Sequence, residues 1–256
     1  MHFDSTGTPL WSDPIQINNV PTEKSGLTAV VNGAGDLIVA WNDDIISIDG
    51  IYVEILNTSL ELVFGGLGFA ISNEGTSKTH PILVSGDNTD AYVVWGEERG
   101  GFDGVYIQRI KNTGLVMFEA NGLAITNYTS DASGISVCKD GLGGIMAVWL
   151  DNRAGYLDIY GQQIDGNGNY YWGSNGSIIV SIGEPGLGLP LKILSNESLG
   201  AFILYSDEHI GYSKDIFCQK IDQYGLPQWA AQGKLFVDND EIELYNFQCC
   251  FEDMEI

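Results

Sequence analysis

The sequence is poor in basic residues and in histidine. Its 256 residues include 11 Lys and Arg against 34 Asp and Glu, for a formal net charge of −23, and only 3 His. The electrostatic field of so negative a protein repels phosphate backbones and anionic lipid surfaces, which argues against nucleic acid as a partner. The negative charge is typical of the soluble surface of an extracellular protein. A more specific alternative is that the charge serves to bind or attract cations. His2, His80 and His209 stand in no HxH, HExxH or Ser/His/Asp-like spacing, so we expect loop residues there.

Cysteine is also scarce and shows no metal-binding pattern. The four cysteines have no CxxC spacing and no companion His cluster, which argues against a zinc site and a thioredoxin-type redox motif. Cys138 stands where the other repeats described below have apolar residues (Val30, Val84 and Leu194). We therefore expect a small core residue at Cys138, with a disulfide as the alternative. The adjacent Cys249 and Cys250 have no assigned role.

Long apolar runs are missing as well. No stretch approaches the roughly 18 apolar residues of a membrane span, and the N-terminus shows no basic then apolar signal peptide. We therefore expect no membrane span and no signal peptide in the chain as given. The sequence does contain 33 Gly, 12 Tyr, 10 Phe and 6 Trp, a composition typical of a turn-rich globular protein. Four N-x-S/T sequons are compatible with secretion, at Asn57, Asn127, Asn175 and Asn196.

An aromatic anchor recurs along the chain with a period of about 54 residues. It stands at Trp11, Phe64, Phe118, Trp172 and Trp229, and a second anchor with the same period ends an apolar strand at Trp41, Trp95, Trp149 and Tyr205. The first anchor belongs to a D-x-x-G-x-x-x-W-x-x-x-G motif, seen as IDGNGNYYWGSNG from Ile164 and as IDQYGLPQWAAQG from Ile221. Repeats of this length indicate a solenoid, propeller or array.

Each repeat predicts four short strands, A to D. In the third repeat, strand A is GISVC from Gly134, strand B is IMAVW ending at Trp149, strand C is IYGQQI from Ile159, and strand D runs from near Trp172 to near Val180. Strand C has an aromatic residue followed two positions later by Glu or Gln, at Tyr52/Glu54, Tyr106/Gln108, Tyr160/Gln162 and Phe217/Gln219. We interpret the aromatic as inter-blade packing and the Gln as a hydrogen-bonded structural residue, in preference to a ligand contact.

These features predict an all-β fold, a single β-propeller domain over residues 1–256 with four-stranded antiparallel blades. The repeats cover approximately 18–70, 71–124, 125–179 and 180–236. Residues 237–256 and 1–17 supply complementary strands, so we predict a fifth, split blade that joins the termini. The alternative is a segment of a longer array.

The segment AVWLDNRAGYLDIYGQQIDGNGNYYWGSNG, from Ala147 to Gly176, resembles the repeat of many secreted bacterial β-propeller proteins of unassigned function. The resemblance covers nearly the whole chain and implies a secreted or surface propeller without agreed catalytic residues. The D-x-x-G-x-x-x-W motif is also distantly similar to the Asp-box of sialidases, S/T-x-D-x-G-x-x-W. Each spacing is one residue longer here, so sialidase activity is not transferred.

An acidic residue follows the strand B anchor by two positions in every complete repeat: Asp43, Glu97, Asp151 and Asp207. In a propeller these acids would form a ring on one face. They could then bind a cation, with calcium the expected ion, or act as the carboxylates of a glycoside hydrolase. The alternative, which we favour, is that each acid caps its own loop or pairs with Arg99 or Arg153. Catalytic acids and bases need different environments, and these positions recur uniformly.

The sequence therefore predicts a non-enzymatic, extracellular or cell-surface binding or scaffold module whose partner is a protein or a carbohydrate. It assigns no catalytic residue and no cofactor. One alternative is a five-bladed glycoside hydrolase that uses the loop carboxylates. Another is a structural subunit that self-assembles through open ends or edge strands.

Overall fold

The computed structural model describes residues 5–8, 13–44, 49–74, 76–126, 132–181, 187–196, 199–207 and 215–237. Several predictions fall outside these ranges. They concern the anchor Trp11, most of the split fifth blade (237–256 and 1–17), and His2, His209, Asn127, Cys249 and Cys250.

Within these ranges the chain forms sixteen β-strands in four antiparallel sheets of four strands each. The first sheet contains β1 (Lys24–Val31), β2 (Leu37–Asp44), β3 (Asp49–Leu56) and β4 (Phe69–Ser72). The second contains β5 (Ile82–Ser85), β6 (Asp90–Arg99), β7 (Phe102–Lys111) and β8 (Leu123–Ala124). The third contains β9 (Ala132–Lys139), β10 (Ile145–Asp151), β11 (Asp158–Ile164) and β12 (Ser177–Val180). The fourth contains β13 (Leu187–Ser195), β14 (Ala201–Asp207), β15 (Asp215–Ile221) and β16 (Lys234–Val237).

Each sheet is a meander whose strands pair in chain order, and the first strand of each sheet contacts the first strand of the next, β1 with β5, β5 with β9 and β9 with β13. The sheets are therefore blades arranged with their first strands innermost. This is a β-propeller, as the sequence predicted. Among the described residues, no helix has the length and apolar character needed to cross a bilayer.

The core lies between neighbouring blades. One cluster joins the first and second blades, a second joins the second and third, and a third joins the third and fourth. The strand C aromatics Tyr106, Tyr160 and Phe217 each belong to one of these shared clusters, which confirms their predicted role in packing between blades. Cys138 packs against the cluster of the third and fourth blades, and neither Cys138 nor Cys218 forms a disulfide with another described residue. The prediction of a core residue at Cys138 is confirmed.

The repeated motif specifies a turn between the third and fourth strands of each blade. In the third blade the Oδ1 atom of Asp165 accepts hydrogen bonds from the backbone N–H groups of Asn167, at 2.8 Å, and Asn169, at 2.9 Å. Gly168 follows with φ of 87°, a conformation that favours glycine because it has no Cβ. Positive φ recurs at the matching positions of the other blades, Leu60, Gly114 and Gly225.

The two glycines of the motif also allow close approach of aromatic rings. A Cβ added to Gly225 would lie 2.6 Å from the Trp172 ring, so the anchor of the third blade packs under the turn of the fourth. A Cβ on the second glycine, Gly176, would lie 2.8 Å from Trp149 of its own blade. The anchor aromatic therefore fastens one blade to the next. This explains why both glycines and the aromatic recur together.

One strand boundary was wrongly predicted. Strand D of the third blade was expected to begin near Trp172, but β12 begins at Ser177. Gly173 and Gly176 have φ of 82° and 75°, so the chain turns after Trp172 before it can extend into the strand.

The Gln of strand C holds this turn in place, as predicted. In the third blade the Gln162 Oε1 atom accepts the Trp172 N–H at 2.8 Å, and its Nε2 donates to the Gly173 carbonyl at 2.6 Å. Gln108 and Gln219 make the same pair of bonds in the second and fourth blades. All three side chains are buried and bonded within their blade, which identifies a structural role.

Candidate functional site

The four acids singled out by the sequence lie at the ends of the second strands of the four blades. They are buried, with 0 to 1% of each residue exposed. In three blades the indole N–H of the strand B tryptophan donates to the acid two residues later: Trp41 to Asp43 at 3.1 Å, Trp95 to Glu97 at 2.6 Å and Trp149 to Asp151 at 3.1 Å. The recurrence of the acid therefore follows the recurrence of the tryptophan.

In the second and third blades an arginine completes this arrangement. The Arg153 Nε atom donates to Asp151 at 2.9 Å, and its guanidinium lies 4.1 Å from the centroid of the Tyr160 ring. Its Nη1 atom reaches the Asn175 carbonyl at 2.9 Å. Arg99 repeats the contacts on Glu97, Tyr106 and the Asn121 carbonyl. Both arginines thus tie the second and third strands of a blade to the turn that precedes the fourth.

In the first and fourth blades the strand B acid has partners other than arginine. In the first, the Lys24 Nζ atom lies 3.1 Å from Asp43, and Thr22 also donates to that carboxylate. In the fourth, the Gln232 Nε2 atom donates to Asp207 at 2.8 Å. Each of the four carboxylates is therefore bonded to its own blade.

A lysine that the sequence analysis overlooked adds to the pairing in the second blade. The Lys78 side chain is fully buried, 3.7 Å from Glu97, and donates to the Asp49 carbonyl at 2.6 Å. Burial lowers the pKa of this ammonium group, and the neighbouring Glu97 opposes that shift. Because the Lys78 N–H also donates to the Asp49 carboxylate, the lysine joins the first and second blades.

These contacts give the carboxylates a structural role. Buried charges are stabilised by paired cations and hydrogen bonds, which these four acids have in different combinations. Among the described residues, no three His, Cys, Asp or Glu side chains come close enough together to hold a metal ion. The four acids lie on four separate blades: Asp43, Glu97, Asp151 and Asp207. We infer that each carboxylate holds neighbouring strands and turns in place through its hydrogen bonds.

An open groove lies at the other end of the sheets, between the second and third blades. It has a volume of about 480 Å³ and is formed by the turns that connect the first two strands and the last two strands of these blades. Its walls are mainly polar and include Asp87, Asp90, Arg109, Asp140 and Gln163. The groove is therefore a pocket lined by hydrogen-bonding groups.

Inter-blade hydrogen bonds hold the walls of the groove. The guanidinium of Arg109, on the second blade, pairs with Asp90 and donates to the Gly166 carbonyl of the third. The Tyr92 hydroxyl, also from the second blade, donates to the Gly143 carbonyl at 2.6 Å. Burial raises the pKa of Tyr92 to about 12, which keeps this donor protonated. The walls are consequently preorganised.

The third-blade wall is fixed by its own turns. The Asp140 Oδ1 atom accepts the N–H groups of Leu142 and Gly144 at 2.7 and 2.8 Å, and Gln163 donates to its Oδ2 at 3.0 Å. Burial raises the pKa of Asp165, but hydrogen bonds from Asn169 and Asn167 outweigh burial and hold that pKa below its usual value. Asp165 is therefore a carboxylate at neutral pH.

The lining residues also include groups that are free to meet a ligand. Tyr171 and Leu142 are 61% and 66% exposed. Asp87 is exposed and its side chain makes no hydrogen bond within the described part of the chain, and Lys111 is half-buried. The groove thus combines an exposed aromatic ring with fixed polar groups. A pattern shared by all repeats does not reveal the groove, because its lining residues differ in type between the blades, as Arg109 and Gln163 do at one position and Lys111 and Asp165 at another.

No protein-family model matches the chain, and no curated protein sequence matches it. Solved structures do resemble it. An ulvan lyase from a new family of polysaccharide lyases, bound to -[GlcA(1-4)Rha3S]-, has a TM-score of 0.58 at 9% identity; the match covers 80% of this chain and 54% of the lyase. The chain thus spans about half the length of that enzyme.

Two further structures match with lower TM-scores. A candidate exo-β-1,3-galactanase from Bifidobacterium bifidum s17 has a TM-score of 0.44 at 14% identity, covering 91% of this chain and 74% of that one. A candidate glycoside hydrolase from Bacteroides ovatus ATCC 8483 has a TM-score of 0.44 at 10% identity, covering 83% and 72%. At these identities the similarity concerns the fold.

Proposed function

We propose that this protein is a carbohydrate-binding β-propeller and that its ligand lies in the groove between the second and third blades. The observation that supports this most directly is the exposed Tyr171 ring beside a wall of fixed hydrogen-bonding groups. Sugars present an apolar C–H face, which packs on an aromatic ring, and a rim of hydroxyls, which needs donors and acceptors. The groove offers both kinds of contact.

The fixed geometry of the walls favours binding. Arg109, Tyr92 and Gln163 already have partners across or within the groove, so their positions are set before a ligand arrives. A preorganised site loses less conformational entropy when it binds than a flexible site does. The similarity of the fold to an ulvan lyase supports a carbohydrate ligand over a protein ligand. We place the protein outside the cell or on its surface, in agreement with its acidic composition.

Glycoside hydrolysis is a second candidate, because the fold of this chain also occurs in an enzyme that acts on a polysaccharide. Glycoside hydrolysis uses two carboxyl groups about 5 to 9 Å apart, one of which donates a proton. The four strand B acids do not suit that role because they are buried and bonded. In the groove, Asp165 does not suit the role of proton donor because its pKa is lowered, whereas the exposed Asp87 is free to take part.

Isothermal titration of the protein with a panel of oligosaccharides tests the proposal. Changing Tyr171→Ala is expected to weaken binding about tenfold, since an aromatic contact at the centre of an interface contributes about 1 to 2 kcal/mol. The matched control is Tyr224→Ala, because Tyr224 is 66% exposed on the corresponding turn of the fourth blade and does not line the groove. Equal effects of the two changes, or no binding by any oligosaccharide, would contradict the proposal.

The same panel separates binding from cleavage. Chromatography of each oligosaccharide after prolonged incubation shows whether shorter products form. We expect none. Product formation that Asp87→Asn abolishes would replace the binding role with the enzymatic one.

A further inference from the structure

The charges that line the groove indicate which carbohydrates it accepts. Its lining includes four carboxylates, Asp87, Asp90, Asp140 and Asp165, and two cations, Arg109 and Lys111. Arg109 pairs with Asp90, which leaves three carboxylates and one cation, Lys111, in the lining. The protein around the groove has a net charge of −23, so its own field adds to that of the groove.

The three carboxylates differ in their availability. Asp140 and Asp165 accept backbone N–H groups of their own turns, and those bonds fix the carboxylates at the groove wall. Asp87 is exposed, and its side chain makes no hydrogen bond to the described residues. One of its oxygens would lie 3.1 Å from a Cβ at Gly143, so its carboxylate faces the third blade across the groove. Asp87 is thus the acid best placed to contact a ligand.

Resting on the proposed function, we infer that the groove selects a glycan that carries free amino groups and rejects uronates and sulfated sugars. An ammonium group on the sugar can pair with Asp87, while a carboxylate or sulfate would meet like charges from both blades. The polar walls and the Tyr171 ring can contact a neutral sugar in the same way as an amine-bearing one, so only the charge interactions differ between the two. Charge therefore ranks the ligands in the order amine-bearing, neutral and acidic.

Isothermal titration calorimetry with three oligosaccharides of the same length tests this order of affinities. The three are a glucosamine hexamer, its N-acetylated form and a galacturonate hexamer. At about 20 mM salt we expect the glucosamine hexamer to bind about tenfold more tightly than the N-acetylated one, and this ratio to approach one at about 0.5 M salt. We expect no detectable binding of the galacturonate hexamer. The pH is held near 6, where glucosamine amines are protonated.

Two variants locate the effect. Asp87→Asn is expected to reduce the preference for the amine, taken as the ratio of the affinities for the two hexamers, by about threefold. Asp44→Asn is the control, because Asp44 is exposed at the end of β2 on another blade and does not line the groove. If the two variants reduce the preference equally, the net charge of the protein is responsible and the inference is overturned.

The outcomes also distinguish this inference from the proposed function. Equal binding of the amine-bearing and N-acetylated hexamers, with both weakened by Tyr171→Ala, would overturn the selectivity and keep the groove as the binding site. Binding that Tyr171→Ala does not affect would overturn the proposed function itself.

Discussion

Changing Glu54→Gln replaces the one acid in the strand C series with the residue found in the other three blades. The Glu54 carboxylate is buried and accepts the backbone N–H groups of Ile55 at 2.9 Å, Phe64 at 2.8 Å and Gly66 at 2.9 Å. The other blades have Gln donating to a carbonyl at the corresponding turn. In the first blade the peptide between Gly65 and Gly66 therefore presents its N–H to the acid.

The backbone conformation is consistent with this reversal. Gly66 has φ of 79°, whereas the corresponding residues Ala120, Ser174 and Ala231 do not have positive φ. In the Glu54→Gln variant the new amide group would face the Gly66 N–H, and two donors would meet in a buried site. Leaving a buried donor without an acceptor costs about 1 to 3 kcal/mol, so we expect a loss of about 2 kcal/mol in the free energy of unfolding.

Urea unfolding followed by tryptophan fluorescence measures this loss. Gly66→Ala alone is also expected to destabilise, by about 1 to 2 kcal/mol, because alanine resists positive φ. The double variant can adopt the peptide orientation of the other blades, so it should lose at least about 1 kcal/mol less than the sum of the two single changes. A Glu54→Gln variant as stable as the parent, or strictly additive effects, would refute this reasoning.

Three further predictions concern stability and reactivity. Leu60→Gly should raise the free energy of unfolding by about 0.5 to 1 kcal/mol, because Leu60 has φ of 65°. Leu115→Gly, at an exposed leucine without positive φ, should not stabilise in the same urea assay. Arg153→Leu should cost about 2 to 3 kcal/mol by leaving the buried Asp151 carboxylate without its cation, and adding Asp151→Asn should recover part of that loss in a double-mutant cycle. Burial raises the pKa of Cys138 to about 12, so iodoacetamide at about pH 8.5 should modify this thiol only after unfolding, as peptide mass mapping would show.

The sequence predicted the parts of the fold that every blade repeats. The spacing of Trp41, Trp95 and Trp149 indicated the strand B anchors, and the arginines proposed as partners of the strand B acids bind them in two blades. The groove could not be found in this way. Its walls join Asp87 of one blade to Tyr171 of the next, and their closeness depends on how the blades stack.

A one-residue difference between repeats was equally hard to interpret from sequence. Glu54 was grouped with the glutamines because it shares their position on strand C. A carboxylate only accepts hydrogen bonds, whereas an amide also donates, so the same position requires a reversed peptide in the turn. That consequence depends on backbone geometry, which the repeat pattern does not contain.

A crystal structure of the protein grown with the oligosaccharide it binds most tightly tests the central claim most directly. We expect a sugar ring stacked on Tyr171, with its polar groups on Asp87 and the walls formed by the second and third blades. Density for the sugar at the opposite end of the blades, beside the strand B acids, with an empty groove, would contradict the account.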